Sequence, residues 1–421
     1  KEVEVTKGRY HVLLESPNRR VRHDAFHAFF STYDRYRNTW AAMLQAAVRR
    51  DIFYAKVRQY PSALDRALAV NNIPRAVFET LITTVNAHLG PLHRYARLRQ
   101  QCLGLEALHP YDLSCPLVPS VQMTFSYEEA KRLVQEAMQP LGQEYNAVLA
   151  QAFAERWIDV YETMGKRSGA YSGGAYGVHP FILMNFHGTL RDVFTLAHEL
   201  GHALHTYYTY QTQPFVYSDY AIFVAEVAST TSEALLMHHL LATTIDPAQR
   251  LFLLNYALEQ IRTTFYNQVL FAEFEWQVHR HVEAGNALTH AVLGELFQTL
   301  FQQYYGEALV QDPVHRIGWA RIPHFYYNFY VYQYATGFAA ATALAQRILE
   351  EGEPAVARYI TFLRSGSAKY PIELLRDAGV DMTQPVPLER TIRLFERLLD
   401  DLTTLLGRAA DLAGTKSGTS P

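Results

Sequence analysis

Cysteine is scarce in this chain, with two residues among 421. Cys102 and Cys115 are too few for a disulfide framework or a four-cysteine zinc site. The sequence also contains no recognisable signal peptide and no apolar run of about 18 residues, the length that a membrane-spanning helix needs. We therefore expect no membrane contact and a reducing, cytoplasmic setting.

Surplus charge is also small, with a formal net charge of −3 at pH 7. This value argues against a nucleic-acid surface built on global charge, so we expect no nucleic-acid partner, and nothing implies a protein partner. Hydrophobic residues make up 49% of the chain, which is enough for a full core. Aromatic content is high and includes 28 tyrosines, which suggests a cavity with many hydroxyl groups in its walls.

Apolar residues recur at three- and four-residue spacing along most of the chain, which predicts a predominantly α-helical fold. Helices are predicted at about 18–51, 61–85, 89–106, 126–164, 190–210, 221–242, 247–284, 288–304, 327–351, 353–364 and 387–407. Residues 113–125 are interrupted by prolines and are predicted to be extended. We expect one domain over 1–421, with an N-terminal helical part (1–164), a second part (165–407) and a disordered tail (408–421).

A glycine-rich segment at 165–186 interrupts the helical pattern. It has no Gly-Lys-Ser/Thr or Gly-x-Gly-x-x-Gly motif, so nucleotide binding is disfavoured. Residues 178–186 are predicted to form a strand, which makes the segment a mobile hairpin. An exposed strand edge there could pair with an extended peptide, and Gly174 and Tyr176 are candidate substrate-binding residues.

The central motif is His-Glu-x-x-His at residues 198–202, in a stretch of good helix formers. Because positions four apart share a helix face, His198 and His202 can bind one zinc ion. Glu199 lies beside them, within reach of a water molecule at the metal, and is the candidate general base. The alternative is a buried amphipathic helix whose two histidines are satisfied by hydrogen bonds.

Two histidines leave a catalytic zinc site one protein ligand short. Metzincin spacing would require glycine at position 205 and histidine at position 208, but the chain has His205 and Tyr208. A gluzincin instead takes a glutamate from a following helix, and the predicted helix at 221–242 carries Glu226 among apolar neighbours. Glu233, two turns further along, is a candidate partner for a ligating imidazole. The alternative for Glu226 is a salt bridge at a helix end.

Residues 323–337 contain a histidine and several tyrosines. His324, Tyr327, Tyr330 and Tyr334 follow spacings of 3, 3 and 4, which predicts one helix face. Such a stripe is often core, but the density of hydroxyl groups favours a catalytic wall that binds the oxyanion and the substrate. Of the three tyrosines, Tyr334 is the first candidate for the oxyanion contact.

With these motifs in view, the chain resembles the thimet-oligopeptidase family of zinc metallopeptidases, and within it the oligoendopeptidase F group. The resemblance extends from near the N-terminus to about residue 407. The segments that carry it are Gly165–Tyr171, Gly177–Pro180, His198–His205, Glu226–Glu233, Phe271–Glu275, Ile322–Gly337 and Ser365–Pro371.

The resemblance implies a helical body with a deep cleft, one zinc ion at its floor on the motif helix, and a small β element near the site. It also implies an endopeptidase that hydrolyses internal bonds of oligopeptides by Glu199-assisted attack of water at the zinc. His198, His202 and Glu226 would be the ligands. Members of the family are usually longer than this chain. A carboxypeptidase or dipeptidyl carboxypeptidase, or a truncated, non-catalytic peptide-binding protein, remains an alternative.

Overall fold

The computed structural model describes residues 3–118, 121 and 123–417, with side chains described up to residue 408. Nearly all of its regular structure is helical, which confirms the predicted fold class. In the described part of the chain, no helix is both long enough and apolar enough to cross a membrane.

The helices are numbered in chain order. They are α1 (Lys7–Leu14), α2 (Arg19–Asp34), α3 (Arg37–Val57), α4 (Ala63–Ala69), α5 (Arg75–Ala87), α6 (Gly90–Cys102), α7 (Tyr127–Ala137), α8 (Gly142–Ala154), α9 (Leu190–Thr212), α10 (Ile222–Thr243), α11 (Pro247–Ile261), α12 (Asn267–Glu283), α13 (His290–Tyr305), α14 (Tyr332–Glu351), α15 (Glu353–Leu363), α16 (Pro371–Asp377) and α17 (Val386–Ser417). Short 3-10 turns lie at Pro110–Asp112, Gln139–Leu141, Phe215–Tyr217, Pro313–Arg321 and Pro323–Tyr326, and a π-helical turn at Arg262–Tyr266 joins α11 to α12.

Helix α10 lies at the centre of the site region and packs against both α9 and α14. The N-terminus of α9 is fixed by a capping box, in which the Thr189 hydroxyl accepts from the Asp192 amide and the Asp192 carboxylate accepts from the Thr189 amide. Gly201 lets α9 approach α10 closely, since a Cβ atom there would lie 2.6 Å from Ser229 Cα. The sequence of α9 therefore fixes both where it begins and how near it lies to α10.

The β element is a three-stranded sheet in the order β1-β3-β2. Strands β1 (Ile158–Asp159) and β3 (Phe181–Leu183) are parallel, and β2 (Tyr171–Gly173) pairs antiparallel with β3. We predicted helix to about residue 164, but α8 ends at Ala154 and the chain turns into β1. The reason is local, because Arg156 has a left-handed φ of 56°, which ends the helix.

Other predicted boundaries also need correction. The helix predicted over 18–51 is two helices, because Tyr36, with φ −109° and ψ 18°, leaves helical geometry between α2 and α3. Helix α17 continues to Ser417, past the predicted helix end at residue 407, and this extension is rich in alanine, the best helix former. The disordered tail stays a prediction. Of the predicted extended segment 113–125, residues 119, 120 and 122 lie outside the described part. The division at residue 164 stays a prediction.

Candidate metal centre

Helix α9 brings the two motif histidines together. The Nε2 atoms of His198 and His202 lie 3.1 Å apart, at one turn of spacing along the same face. Leu196, Ala197 and Leu200 anchor the opposite side of the helix, and all three are buried. Burial of that side leaves the two imidazoles directed towards α10.

Helix α10 adds a carboxylate to this pair. Glu226 Oε2 lies 3.4 Å from His198 Nε2 and 3.4 Å from His202 Nε2. The Ser229 hydroxyl, one turn further on, lies 3.2 Å from the same Oε2 and restrains it. The three candidate ligand atoms therefore converge on one point, and the role of Glu226 as a third ligand stays a prediction.

The spacing of these atoms suits zinc. Ligands bound tetrahedrally at 2.0–2.1 Å lie roughly 3.3 Å from one another, close to the observed separations of 3.1 and 3.4 Å. Two imidazoles and one carboxylate are also a donor set that zinc accepts at catalytic sites. His198, His202 and Glu226 are the one group with metal-ligand geometry among the residues that the structure describes.

Glu233 contacts the far side of His198, as the sequence suggested. Its Oε1 lies 2.6 Å from His198 Nδ1. Because a carboxylate only accepts, Nδ1 carries a proton, and in the neutral imidazole the lone pair of Nε2 faces His202 and Glu226. Burial disfavours the charged imidazole, but the two carboxylates outweigh burial and raise the pKa of His198 to about 10. The local field thus favours positive charge.

Glu199 lies beside the ligand cluster but outside it. Its side chain is buried, with 6% exposed, and Oε2 has no hydrogen-bond partner among the described residues. Burial raises the pKa of Glu199, whereas the two imidazoles and the Ser172 amide of β2 act in the opposite direction. A buried carboxylate with an unused oxygen and a raised pKa can accept a proton and then release it.

The predicted aromatic stripe forms, but not on a helix. His324 lies in a 3-10 turn, Tyr327 and Tyr330 lie in irregular backbone, and α14 begins only at Tyr332. The His324 ring is nevertheless 5.9, 5.8 and 5.9 Å from those of Tyr327, Tyr330 and Tyr334. The grouping is therefore present, and the predicted helix over 327–331 is wrong. We call these four residues the aromatic cluster.

Within the aromatic cluster, Tyr334 is linked most directly to the metal-ligand side. Burial raises the pKa of Tyr334, and Tyr330 and the charge of Glu226 raise it further. Tyr334 lies in the first turn of α14, and α14 packs on α10. Tyr327, by contrast, is 61% exposed. Within the aromatic cluster, Tyr334 is therefore the tyrosine whose raised pKa includes a contribution from the candidate ligand Glu226.

In the glycine-rich segment, the two predicted substrate-binding residues make contacts within the protein. The Tyr176 hydroxyl donates to Gln213 O at 2.8 Å, and its ring lies against Tyr210 and Phe215. Gly174 allows a close approach, since a Cβ atom there would lie 3.3 Å from Pro180 Cα. Neither residue shares a hydrogen bond or ring contact with the metal ligands in the described part of the chain, so their substrate roles stay predictions.

Three residues that contribute to the candidate site were not predicted from the sequence. Ser172 reaches Glu199 through its backbone, which no side-chain pattern can show. Gly201 sets the distance between the two ligand-bearing helices, and its signal was a glycine in the middle of good helix formers. Glu275 binds the backbone that carries the aromatic cluster, and its signal was a carboxylate in the apolar periodicity of Phe271–Glu275.

The sequence matches the family model described as Peptidase family M3 over residues 12–394. Oligopeptidase PepF of Bacillus subtilis (strain 168) is 50% identical over 405 residues, which are 96% of this chain and 60% of that protein. Group B oligopeptidase PepB of Streptococcus agalactiae is 44% identical over 97% of this chain and 68% of its own length. The crystal structure of oligoendopeptidase-F from Enterococcus faecium superposes with a TM-score of 0.79 and 38% identity, over 96% of this chain and 67% of that one. With its metal-ligand cluster and this breadth of similarity, the chain belongs to peptidase family M3.

Proposed function

We propose that this chain carries the catalytic part of a zinc-dependent oligoendopeptidase that hydrolyses internal bonds of short peptides. The observation that carries the proposal is the convergence of His198, His202 and Glu226 beside the buried carboxylate of Glu199. Oε2 of this carboxylate has no hydrogen-bond partner among the described residues. The two relatives are oligopeptidases by name, which supports peptides as substrates. Because the chain spans 60% of the Bacillus protein, the activity of the whole protein is part of this proposal.

In this proposal His198, His202 and Glu226 hold one zinc ion per chain, and Glu233 fixes the tautomer and orientation of His198. When bound, zinc supplies a Lewis acid that acidifies water and polarises a carbonyl oxygen. Glu199 removes the proton from the attacking water and transfers it to the leaving amine. Burial of Glu199 supports both proton transfers. Its raised pKa brings the proton affinity of the carboxylate closer to that of the water that loses a proton and of the amine that receives one.

The aromatic cluster supplies donors for the substrate and the oxyanion. We assign the oxyanion contact to Tyr334, assisted by His324, because Tyr334 belongs to the aromatic cluster and the charge of Glu226 contributes to its raised pKa. Tyr327 and Tyr330 contact the peptide on either side of the cut. We also assign the peptide to a cleft with the metal at its floor, where the backbone beside Gly174 and Tyr176 follows the edge strand β2.

The cellular compartment is proposed from the state of the two cysteines. Cys102 and Cys115 are both free thiols, which suits a reducing compartment and supports our proposal of a cytoplasmic enzyme. We propose oligopeptides as its partners, and no nucleic acid, membrane or further protein.

The test is cleavage of a quenched fluorescent peptide of about ten residues, blocked at both ends, with mass analysis of the products. We expect internal cuts that a chelator abolishes and zinc restores. Glu199→Gln should bind zinc normally but lose about 10³-fold or more in kcat, since the general base is removed while the shape is kept.

The alternatives give different results in the same assay. A carboxypeptidase or dipeptidyl carboxypeptidase would cut only after the C-terminal block is removed. A non-catalytic binding protein would hold zinc and peptide without forming products. Near-native turnover by Glu199→Gln would show that Glu199 is not the base.

A further inference from the structure

The backbone beneath the aromatic cluster adopts an unusual conformation. Asn328 and Phe329 have consecutive φ values of 50° and 58°, in the left-handed region that favours glycine. Asparagine visits this region readily, but an aromatic residue does so only when its surroundings impose it. This turn separates Tyr327 from Tyr330, so its conformation decides where both rings lie.

A buried carboxylate holds the turn. The Phe329 amide donates to Glu275 Oε1 of α12 at 2.6 Å. Glu275 is 2% exposed, and its Oε2 has no hydrogen-bond partner among the described residues. The backbone amide of Phe329 is thus the main polar contact of this carboxyl group, and an apolar side chain would be the cheaper choice if packing alone mattered.

Charged neighbours fix the same turn from α3 and from α12 itself. Arg50 Nη2 donates to Tyr326 O at 3.2 Å and to Asp51 Oδ1 at 3.0 Å. His279 donates through Nδ1 to the Glu275 carbonyl at 2.9 Å, and its ring lies 4.5 Å from that of Phe329. Its Nε2 is 3.7 Å from Asp51 Oδ2. The turn is therefore held at Tyr326 and at Phe329, on both sides of Tyr327.

We propose that Glu275 is a positioning residue, whose hydrogen bond to the Phe329 amide maintains the left-handed turn that presents Tyr327 and Tyr330 to His324. The role of those rings rests on the proposed function, whereas the contact itself does not. Glu275 does not touch the metal ligands in the described structure, so its loss should leave zinc binding intact and disturb only the aromatic cluster.

The same helix offers a matched control. Glu273 is also buried, but it accepts hydrogen bonds from Tyr304 and Asn86, away from the turn. Glu273→Leu and Glu275→Leu remove the same chemical group from neighbouring positions of α12. Glu275→Gln keeps an oxygen that can accept from the Phe329 amide.

The experiment compares the zinc-loaded full chain and these three variants by hydrogen exchange of segment 326–331, by zinc content and by kcat and KM on the blocked peptide. For Glu275→Leu we expect exchange of the segment about tenfold or more faster, kcat about tenfold or more lower, and one zinc retained. Glu275→Gln should stay within about threefold of wild type. Glu273→Leu should lower the melting temperature without a selective effect on this segment.

Several results would overturn the proposal. One is hydrogen exchange of segment 326–331 at the wild-type rate in Glu275→Leu. Another is an equal loss of kcat in Glu275→Gln and Glu275→Leu. A third is faster exchange of the same segment in Glu273→Leu. If Glu275→Leu does not fold, residue-resolved exchange of the wild type decides: slow exchange of the Phe329 amide supports the contact and fast exchange refutes it. If the wild type cleaves no peptide, the proposed function fails, while hydrogen exchange of segment 326–331 still tests the contact made by Glu275.

Discussion

Helices α9 and α10 approach each other closely at Gly201, and replacing this glycine with alanine should weaken metal binding. The new Cβ atom would lie 2.6 Å from Ser229 Cα, 2.9 Å from Ser232 Oγ and 3.0 Å from the Ala228 carbonyl oxygen. Two of these three atoms belong to the backbone of α10, so a change of rotamer cannot relieve the contact. The helices must move apart instead.

The size of the effect follows from that geometry. Non-bonded carbon atoms prefer separations of about 3.5–4.0 Å, so α10 must shift by roughly 1 Å at this point. Glu226 lies one turn before Ser229 and moves with it, whereas metal–ligand distances tolerate only about 0.2 Å. We expect Gly201→Ala to cost about 1–3 kcal/mol of stability through overpacking and to weaken zinc binding about tenfold or more.

Zinc affinity can be measured by competition with a chromophoric chelator, and stability by thermal unfolding of the same samples. Gly407→Ala is the control, because Gly407 is an exposed position of helix α17 where a Cβ atom would have no other atom within 4 Å. It should raise stability slightly and leave zinc affinity unchanged. If Gly201→Ala bound zinc as tightly as the wild type, the close approach of the helices would not control the site.

Two further predictions concern Glu233 and Glu275. Glu233→Gln should weaken zinc binding about 10–100-fold in the same competition assay, because the amide holds the His198 Nδ1 proton less strongly, and unchanged affinity would remove Glu233 from the site. Burial raises the pKa of Glu275 from 4.5 to about 7, so the folded state binds more protons than the unfolded state between these values, and stability falls as the pH rises through them. Glu275→Gln removes this titration. The free energy of unfolding of this variant, relative to that of the wild type, should therefore increase by up to about 3 kcal/mol from pH 4.5 to 8. A difference that did not change with pH would contradict the burial argument.

The convergence of the three candidate metal ligands was predictable because their geometry is local to two helices. A spacing of four residues puts His198 and His202 on one helix face whatever surrounds the helix. Glu226 was recognisable because a carboxylate among apolar residues needs a cation or a proton, and Glu233 because it lies two turns further on. The distance between the helices was not predictable in the same way, since it depends on the contact of Gly201 with Ser229.

The small sheet was less predictable than the helices. Its strands have two or three residues each, too short for an alternating pattern to emerge. Residues 155–164 carry helix-compatible composition, so the periodicity extended α8 past the point where Arg156 turns the chain. The break between α2 and α3 is likewise a local change of backbone conformation, at Tyr36, within a continuous helical pattern.

The aromatic cluster shows why a correct grouping can rest on a wrong element. Spacings of 3, 3 and 4 predict contact only if the backbone is helical, yet His324 contacts Tyr327 before a left-handed turn and Tyr330 after it. The partner that holds this turn, Glu275, precedes Phe329 by 54 residues. No periodicity within 323–337 can encode such a contact. A helix over 327–331 would leave the buried Glu275 without its amide donor, so the cost of an unpaired carboxyl group in the core helps to select the turn.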